Sequence, residues 1–317
     1  MHSPEVAAQH TISVVIPLYN SAAMLPELME RLARVLPTLT DEFEVILVND
    51  GSRDESWPAA KKAAKTYPFV HAINLMRNYG QHNALLCGIR SAKYATTVTM
   101  DDDLQHPPEE IPKLLAKLDT GFDVVYGTPA SERHGFWRDL ASQVTKLALQ
   151  NAMNIDVARD VSAFRAFRTL LRGGFAGYSS PYVSLDVLLT WTSTKFSSVT
   201  VRHDTRKSGV SNYTFWNLVT HALNMITGYS TKPLQLASVV GLVFTFFGFI
   251  VLVWVIVQFF ISGSVVPGFP FLASIIAIFS GAQLFALGII GEYLARMHFR
   301  TMDRPTYAVR ADTRTDA

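Results

Sequence analysis

The chain has 317 residues, enough for one sizeable soluble domain plus something smaller, and its formal net charge of +2 gives no reason to expect nucleic acid as a partner. A single cysteine, Cys87, excludes a disulfide framework within the chain and suits a reducing compartment. Hydrophobic residues make up 49% and mean hydropathy is +0.19, which points to membrane segments.

The polar stretch Met1 to His10 lacks the apolar run of a signal peptide, so the domain that follows is not expected to be exported. Ile12 to Ile16 predicts a strand and Ala22 to Val35 a helix. Phe43 to Val48 predicts a second strand, followed by a helix over Glu55 to Tyr67. Val70 to Leu75, Thr96 to Met100 and Asp123 to Tyr126 complete the strands. Cys87 falls in a helix-like stretch, Asn83 to Ser91, and reads as a small core residue. This alternation predicts an α/β fold with a doubly wound, mostly parallel sheet.

In such sheets ligands bind beyond the carboxyl ends of the strands. Four polar motifs fall there: Pro17-Leu18-Tyr19-Asn20, Asn49-Asp50-Gly51-Ser52, Arg77-Asn78-Tyr79-Gly80, and Asp101-Asp102-Asp103. No GxGxxG follows the first strand and no GxxxxGK[ST] occurs, so dinucleotide-binding and P-loop readings lose support. Three adjacent carboxylates repel one another unless a cation sits among them. A hard divalent ion such as Mg²⁺ or Mn²⁺ prefers carboxylate oxygens and can bridge them to substrate phosphates. For an isolated Asp-Asp-Asp a solvated acidic turn is the alternative, and Asn-Asp-Gly-Ser is equally good turn chemistry.

Farther along, Thr214 to Tyr229 sets Phe215, Trp216, Leu218, Val219, Leu223 and Ile226 at mixed helical spacing, suggesting an amphipathic helix in the membrane interface or packed on the domain. From Pro233 to Gly291 there is no Asp, Glu, Lys or Arg. Leu234 to Ile261 and Phe269 to Ile290 each exceed the ~20 apolar residues a helix needs to cross a bilayer, and the turn-rich link Ser262 to Gly268 joins them. A buried hairpin in a soluble core is the competing reading. Arg202, Arg206, Lys207 and Lys232 precede the first span, and Arg296, Arg300 and Arg304 follow the second. The positive-inside rule then places both flanks in the cytoplasm. The expected division is a cytoplasmic domain over residues 1–212, an interfacial helix over 213–232, two transmembrane helices within 233–293 and a cytoplasmic tail over 294–317. The tail after Val309, rich in Arg, Asp and Thr, is expected to be disordered.

Taken together the motifs resemble family 2 glycosyltransferases of GT-A fold, and more closely polyprenyl-phosphate glycosyltransferases with a C-terminal transmembrane hairpin, including dolichyl-phosphate mannose synthase-like enzymes. The likeness spans Ile12 to Tyr307. Arg77-Asn78-Tyr79-Gly80-Gln81-His82-Asn83-Ala84 and Asp103-Leu104-Gln105-His106-Pro107-Pro108-Glu109-Glu110-Ile111-Pro112 resemble the undecaprenyl-phosphate aminoarabinose transferase branch, and Gly291-Glu292-Tyr293-Leu294-Ala295-Arg296 resembles the family's ending.

The resemblance implies an inverting, metal-dependent enzyme of the inner (plasma) membrane. It would move a sugar from a nucleotide donor, UDP-linked by expectation, to undecaprenyl phosphate, for envelope or glycolipid modification. Pro17, Tyr19, Asp50 and Arg77 would contact the donor, with Asp50 on the uracil or ribose. Asp101 and Asp103 would hold Mg²⁺ or Mn²⁺ against the diphosphate, and Asp102 takes the variable middle position. Arg206, with Lys207, would hold the acceptor phosphate or the diphosphate. The expected partners are thus donor, lipid phosphate and membrane; a homo-oligomer is left open.

Two positions depart from the family pattern. Relatives commonly carry an Asp directly before a Phe-Arg or Leu-Arg pair, often discussed as a base, where this chain has Ala163 before Phe164-Arg165; Asp160 stands a few residues earlier as its substitute. Relatives also often have Lys where this chain has Asn212. Two rival readings are a processive polysaccharide synthase, disfavoured because no Gln-x-x-Arg-Trp motif is present, and a non-catalytic membrane scaffold or lipid-handling protein with a decayed transferase domain.

Overall fold

Runs of β-branched and aliphatic residues set the centre of the sheet. In the computed structural model, which describes residues 10–129, 160–179, 183–204, 231–262, 269–302 and 304–315, Ile12–Leu18 forms β1, Phe43–Asn49 β2, Val70–Leu75 β3 and Thr96–Thr99 β4. Every residue of β1, β3 and β4 is buried, as expected of strands covered on both faces. Helices α1 (Leu25–Val35), α2 (Ser56–Thr66) and α3 (Gln81–Ser91) alternate with the strands, and α4 (Ile111–Asp119) follows β4. Pro26 and Pro112 sit in the first turns of α1 and α4, where a missing N–H leaves no helical bond unmade.

The sheet is completed by β5 (Val124–Pro129), β6 (Arg165–Arg168), β7 (Phe196–Val201) and β8 (Val309–Asp312), in the order β7-β5-β6-β4-β1-β2-β3-β8. β1 runs parallel to β2 and β4, β2 to β3, and β5 to β7. β6 is antiparallel to β4 and β5, and β8 is antiparallel to β3. The expected doubly wound, mostly parallel sheet is therefore present.

Val14, Ile16, Leu18, Val45 and Leu47 point to one face and form a core with Leu28 and Leu32 of α1 and Leu114 and Leu118 of α4. Val15 and Val48 point to the other face, where α3 lies. A Cβ on Gly88 of α3 would come within 2.3 Å of Val15 Cγ1 and 3.1 Å of Val48 Cγ2, so only glycine permits this approach. Between β5, β6 and the short helix α5 (Leu185–Thr190), Arg165 pairs with Asp186, which also accepts a hydrogen bond from Tyr126 Oη at 3.0 Å.

The tail departs from expectation. Rather than being disordered after Val309, it forms β8 on the outer edge of β3. Its anchors are polar: His71 Nε2 meets Asp312 Oδ1 at 2.6 Å, the Ala72 amide donates to Thr313 Oγ1 at 2.9 Å, and Arg314 pairs with buried Glu44. β3 is thereby covered, and the sheet ends instead on the short, charged β8, the kind of edge that resists pairing with another chain.

The chain divides into two compact units, Met1–His221 with Asp303–Ala317, and Ala222–Met302. The second contains α6 (Lys232–Ser262) and α7 (Phe269–Thr301), which touch through Phe244 and Phe279 with ring centroids 5.8 Å apart. Both are long and apolar enough to cross a membrane, and among the described residues the most apolar 18-residue window of each is unburied. The core helix of a soluble protein would be mostly buried, so the exposure favours the membrane reading over a hairpin in a soluble core. Phe246, Phe249, Leu252, Leu284 and Leu287 are all exposed, a surface suited to lipid. The expected interfacial helix, Thr214 to Tyr229, lies outside the described residues.

Candidate active site

The loops after β1, β2, β3 and β4 converge at the carboxyl end of the sheet around a cavity of ≈ 270 Å³. Its walls include Pro17, Tyr19, Asp50, Asn78, Gln81 and the run Asp101 to Asp103. Motifs as far apart in sequence as Pro17 and Asp103 thus meet because their strands are neighbours in one sheet.

The loops are laced to one another by hydrogen bonds. Ser52 Oγ accepts from the Asn20 amide at 3.1 Å, and Asn20 Oδ1 accepts from the Arg53 amide at 2.9 Å. Ser56 Oγ accepts from the Ser21 amide at 2.7 Å, and Asp54 accepts from the Ala22 amide at 3.1 Å. Asn20 has φ 57 and Gly51 φ 63, both left-handed. At Gly51 the reason is close contact: a Cβ would lie 2.4 Å from Asn78 N and 2.5 Å from Arg77 C, so the third loop rests directly on the second.

Each acidic residue has a distinct setting. Asp50 is 3% exposed and its two oxygens accept from the Tyr79 and Gly80 amides at 2.7 and 2.8 Å. Burial raises its pKa; those two amides and the Arg77 charge oppose the shift. Its carboxylate is therefore engaged in holding the Tyr79-Gly80 backbone. Asp102 turns back toward β1 and accepts from Ser21 Oγ. Burial again raises its pKa, Ser21 and the Tyr19 amide lower it, and the neighbouring Asp103 charge raises it further. The outer two are oriented by donors of their own. Gln81 Nε2 donates to Asp101 Oδ1 at 2.6 Å, and the Gln105 amide donates to Asp103 Oδ1 at 3.1 Å.

Other expected site residues lie elsewhere. Arg77 is not among the cavity's lining; its guanidinium sits over the Tyr79 ring, 4.4 Å from the centroid. Asp160 is exposed, accepts from Ser198 Oγ at 2.8 Å, and does not line the cavity either. Arg206 and Lys207 lie outside the described residues. Sequence reasoning passed over Ser21, Asn78 and Gln81 as site residues. Ser21 carries no signal of its own, whereas Asn78 lies inside the polar strand-end motif and Gln81 directly follows the glycine that opens α3, so both could be flagged by position.

Among the described residues no three His, Cys, Asp or Glu side chains converge as a preformed metal cage. The donor set nonetheless fits a hard divalent cation. Asp101 and Asp103 are partly exposed carboxylates on the cavity wall, and Mg²⁺ is commonly held by one or two carboxylates together with substrate phosphates.

Comparison with known proteins agrees with this geometry. The "Glycosyl transferase family 2" model matches residues 13–171, which hold all four strand-end motifs. The chain is 35% identical over 310 residues to undecaprenyl-phosphate 4-deoxy-4-formamido-L-arabinose transferase of Enterobacter sp. (strain 638), covering 96% of this chain and 94% of the relative. It is 36% identical over 302 residues to the protein of that name from Proteus mirabilis (strain HI4320), covering 94% and 92%. Glucosyl-3-phosphoglycerate synthase of Mycobacterium tuberculosis, solved with Mn²⁺, UDP and glucosyl-3-phosphoglycerate, has the same fold at a TM-score of 0.52 and 20% identity, over 72% of this chain and 84% of that one. With its sheet, its strand-end carboxylates and relatives along nearly its whole length in agreement, the chain belongs to glycosyl transferase family 2.

Proposed function

We propose that the protein transfers a sugar from a UDP-linked donor to undecaprenyl phosphate at the cytoplasmic face of the inner membrane, with inversion at the anomeric carbon. The observation that carries this reading is the strand-end cavity lined by Asp101 and Asp103 together with Tyr19 and Asn78, in a chain that also bears two membrane-length helices. The names of the relatives make 4-deoxy-4-formamido-L-arabinose the first sugar to test.

In this reading Pro17 and Tyr19 receive the nucleoside part of the donor; both line the cavity, as do Asn78 and Gly80. Asp101 and Asp103 would hold Mg²⁺ or Mn²⁺. Bound there, the cation supplies charge stabilisation for the departing diphosphate. Gln81 and the Gln105 amide fix the orientation of the two carboxylates in advance. Arg206 and Lys207 are assigned to the acceptor phosphate. Near pH 7 a lipid monophosphate is largely ionised, its second pKa being about 6, so its oxygen can attack without a strong base. Asp160, bonded to Ser198, is then not required as one.

Connectivity supports the membrane arrangement. β7 precedes the helical unit, β8 follows it, and both belong to one sheet. Two crossings bring the chain back to the side it left, and the Arg and Lys residues on both flanks assign that side to the cytoplasm. The reading is tested by incubating purified protein with undecaprenyl phosphate, Mn²⁺ and a panel of labelled UDP- and GDP-sugars, then following label into lipid. A UDP-pentose giving charged lipid product supports it; transfer only from a GDP-sugar, or onto water alone, sinks the donor or acceptor assignment.

A further inference from the structure

The segment that follows α7 reaches the root of the loop Arg77 to Gly80. β8 pairs with β3 through Ile73↔Asp312, Asn74↔Ala311 and Leu75↔Val309, with an irregularity between Asn74 and Leu75. One residue beyond β3, the Met76 amide donates to Ala308 O at 2.9 Å, and Arg310 Nη2 donates to Met76 O at 3.1 Å. Both backbone polar groups of Met76 are thus taken by the tail. Met76 directly precedes the loop Arg77 to Gly80, of which Asn78 and Gly80 line the cavity. The loop is therefore held at three points. Asp50 binds its amides, Gly51 supports its backbone, and the tail fixes its root.

The tail has the anchorage to act as a fixed support. Thr306 is buried, and Arg90 donates to Thr306 Oγ1 at 3.5 Å while its guanidinium lies 5.7 Å from the Tyr307 ring centroid. At the other end, Thr313 and Arg314 are tied to Ala72 and Glu44. Arg310 lies between these anchors, exposed, so it can be changed without opening the core.

We propose that the post-hairpin segment, residues 304–315, is a positioning element of the donor site: Ala308 and Arg310 fix Met76 and thereby set the placement of the Arg77–Gly80 wall. Nucleotide affinity then depends on a strand that enters the catalytic unit only after the second long helix. The proposal rests on the donor-site reading above.

The test uses full-length protein in detergent, with UDP plus Mn²⁺ as the probe, and compares wild type, Arg310→Ala and Arg310→Lys. Losing one hydrogen bond from a charged donor should weaken UDP binding and raise the donor KM about three- to tenfold in Arg310→Ala. The KM for undecaprenyl phosphate and the Tm should stay at wild-type values, and Arg310→Lys should recover most of the loss. Unchanged UDP affinity in Arg310→Ala overturns the proposal. So does a loss spread equally over donor, lipid and Tm that lysine does not rescue. Wild type that binds UDP but transfers no sugar to lipid would sink the proposed function while leaving this comparison readable; wild type that binds no UDP overturns both.

Discussion

Replacing Gly51 with alanine perturbs two things that can be separated. The residue has φ +63, where an L side chain costs ~1–2 kcal/mol more than glycine. Its new Cβ would also lie 2.4 Å from Asn78 N and 2.5 Å from Arg77 C, roughly 1 Å inside ordinary contact, and both atoms are backbone. Overpacking of that kind costs ~1–3 kcal/mol, so the total is about 2–5 kcal/mol. At about 2–4 °C per kcal/mol for a domain of this size, the Tm should fall by about 4–20 °C. Because the displaced atoms belong to the loop that supplies Asn78 and Gly80 to the cavity, the donor KM should rise as well. Gly121→Ala is the control. It has φ +100 with nothing within 4 Å of the added Cβ, so it carries conformational strain without pushing any neighbour. Differential scanning fluorimetry and donor-dependent initial rates would be measured on both. A Gly51→Ala protein that matches Gly121→Ala in Tm and keeps a wild-type donor KM would refute the contact between the two loops.

Three further outcomes are expected. Asp186→Ala leaves the Arg165 guanidinium, 2% exposed, without its carboxylate, and removing one partner of a buried pair costs ~3–5 kcal/mol; denaturant unfolding of the soluble unit should show it, with Asp186→Asn milder. Arg314→Ala should cost about 1–2 kcal/mol, reduced because the arginine is 40% exposed and Glu44 keeps its bonds from Ser13 Oγ at 2.6 Å and the Lys93 amide at 2.8 Å. Burial lowers the His71 pKa, the Asp312 bond opposing and the Arg314 charge adding to the shift. The folded protein therefore binds fewer protons than the unfolded chain below about pH 6.5, so stability present above that value is lost as pH falls toward the lowered folded pKa. A Tm series from pH 7.5 to 5 should show this decline, and His71→Gln should flatten it.

The central strands and the helices after them were legible because their signals are local. Ile12 to Ile16 and Val70 to Leu75 are apolar runs that can only be buried, and the polar motifs after them mark strand ends. β6 was not legible: Arg-Ala-Phe-Arg reads as a polar loop unless Asp186, 21 residues away, is known to neutralise Arg165. β7, Phe-Ser-Ser-Val-Thr-Val, is polar at its middle because it forms the sheet's outer edge. β8 was misread as disordered because it has little apolar surface, and its stability comes from His71, Ala72 and Glu44, which are remote in sequence. At the site, the grouping of Pro17, Tyr19, Asp50 and the Asp101–Asp103 run followed from strand ends alone. The division of labour among the carboxylates did not. That Asp50 and Asp102 face backbone amides and Ser21, while Asp101 and Asp103 take Gln81 and the Gln105 amide, depends on loop geometry that sequence spacing does not encode.

In the proposed reaction Asp101 and Asp103 serve a metal-dependent transfer onto lipid phosphate. Purified protein in detergent would be assayed for UDP release, with and without undecaprenyl phosphate and with and without Mn²⁺, beside Asp103→Ala. Release should require both lipid phosphate and metal and fall at least a hundredfold in Asp103→Ala, since the loss of one charge-stabilising group is worth roughly 10²–10³ in rate. Release that persists in Asp103→Ala, or that ignores the lipid, would contradict it.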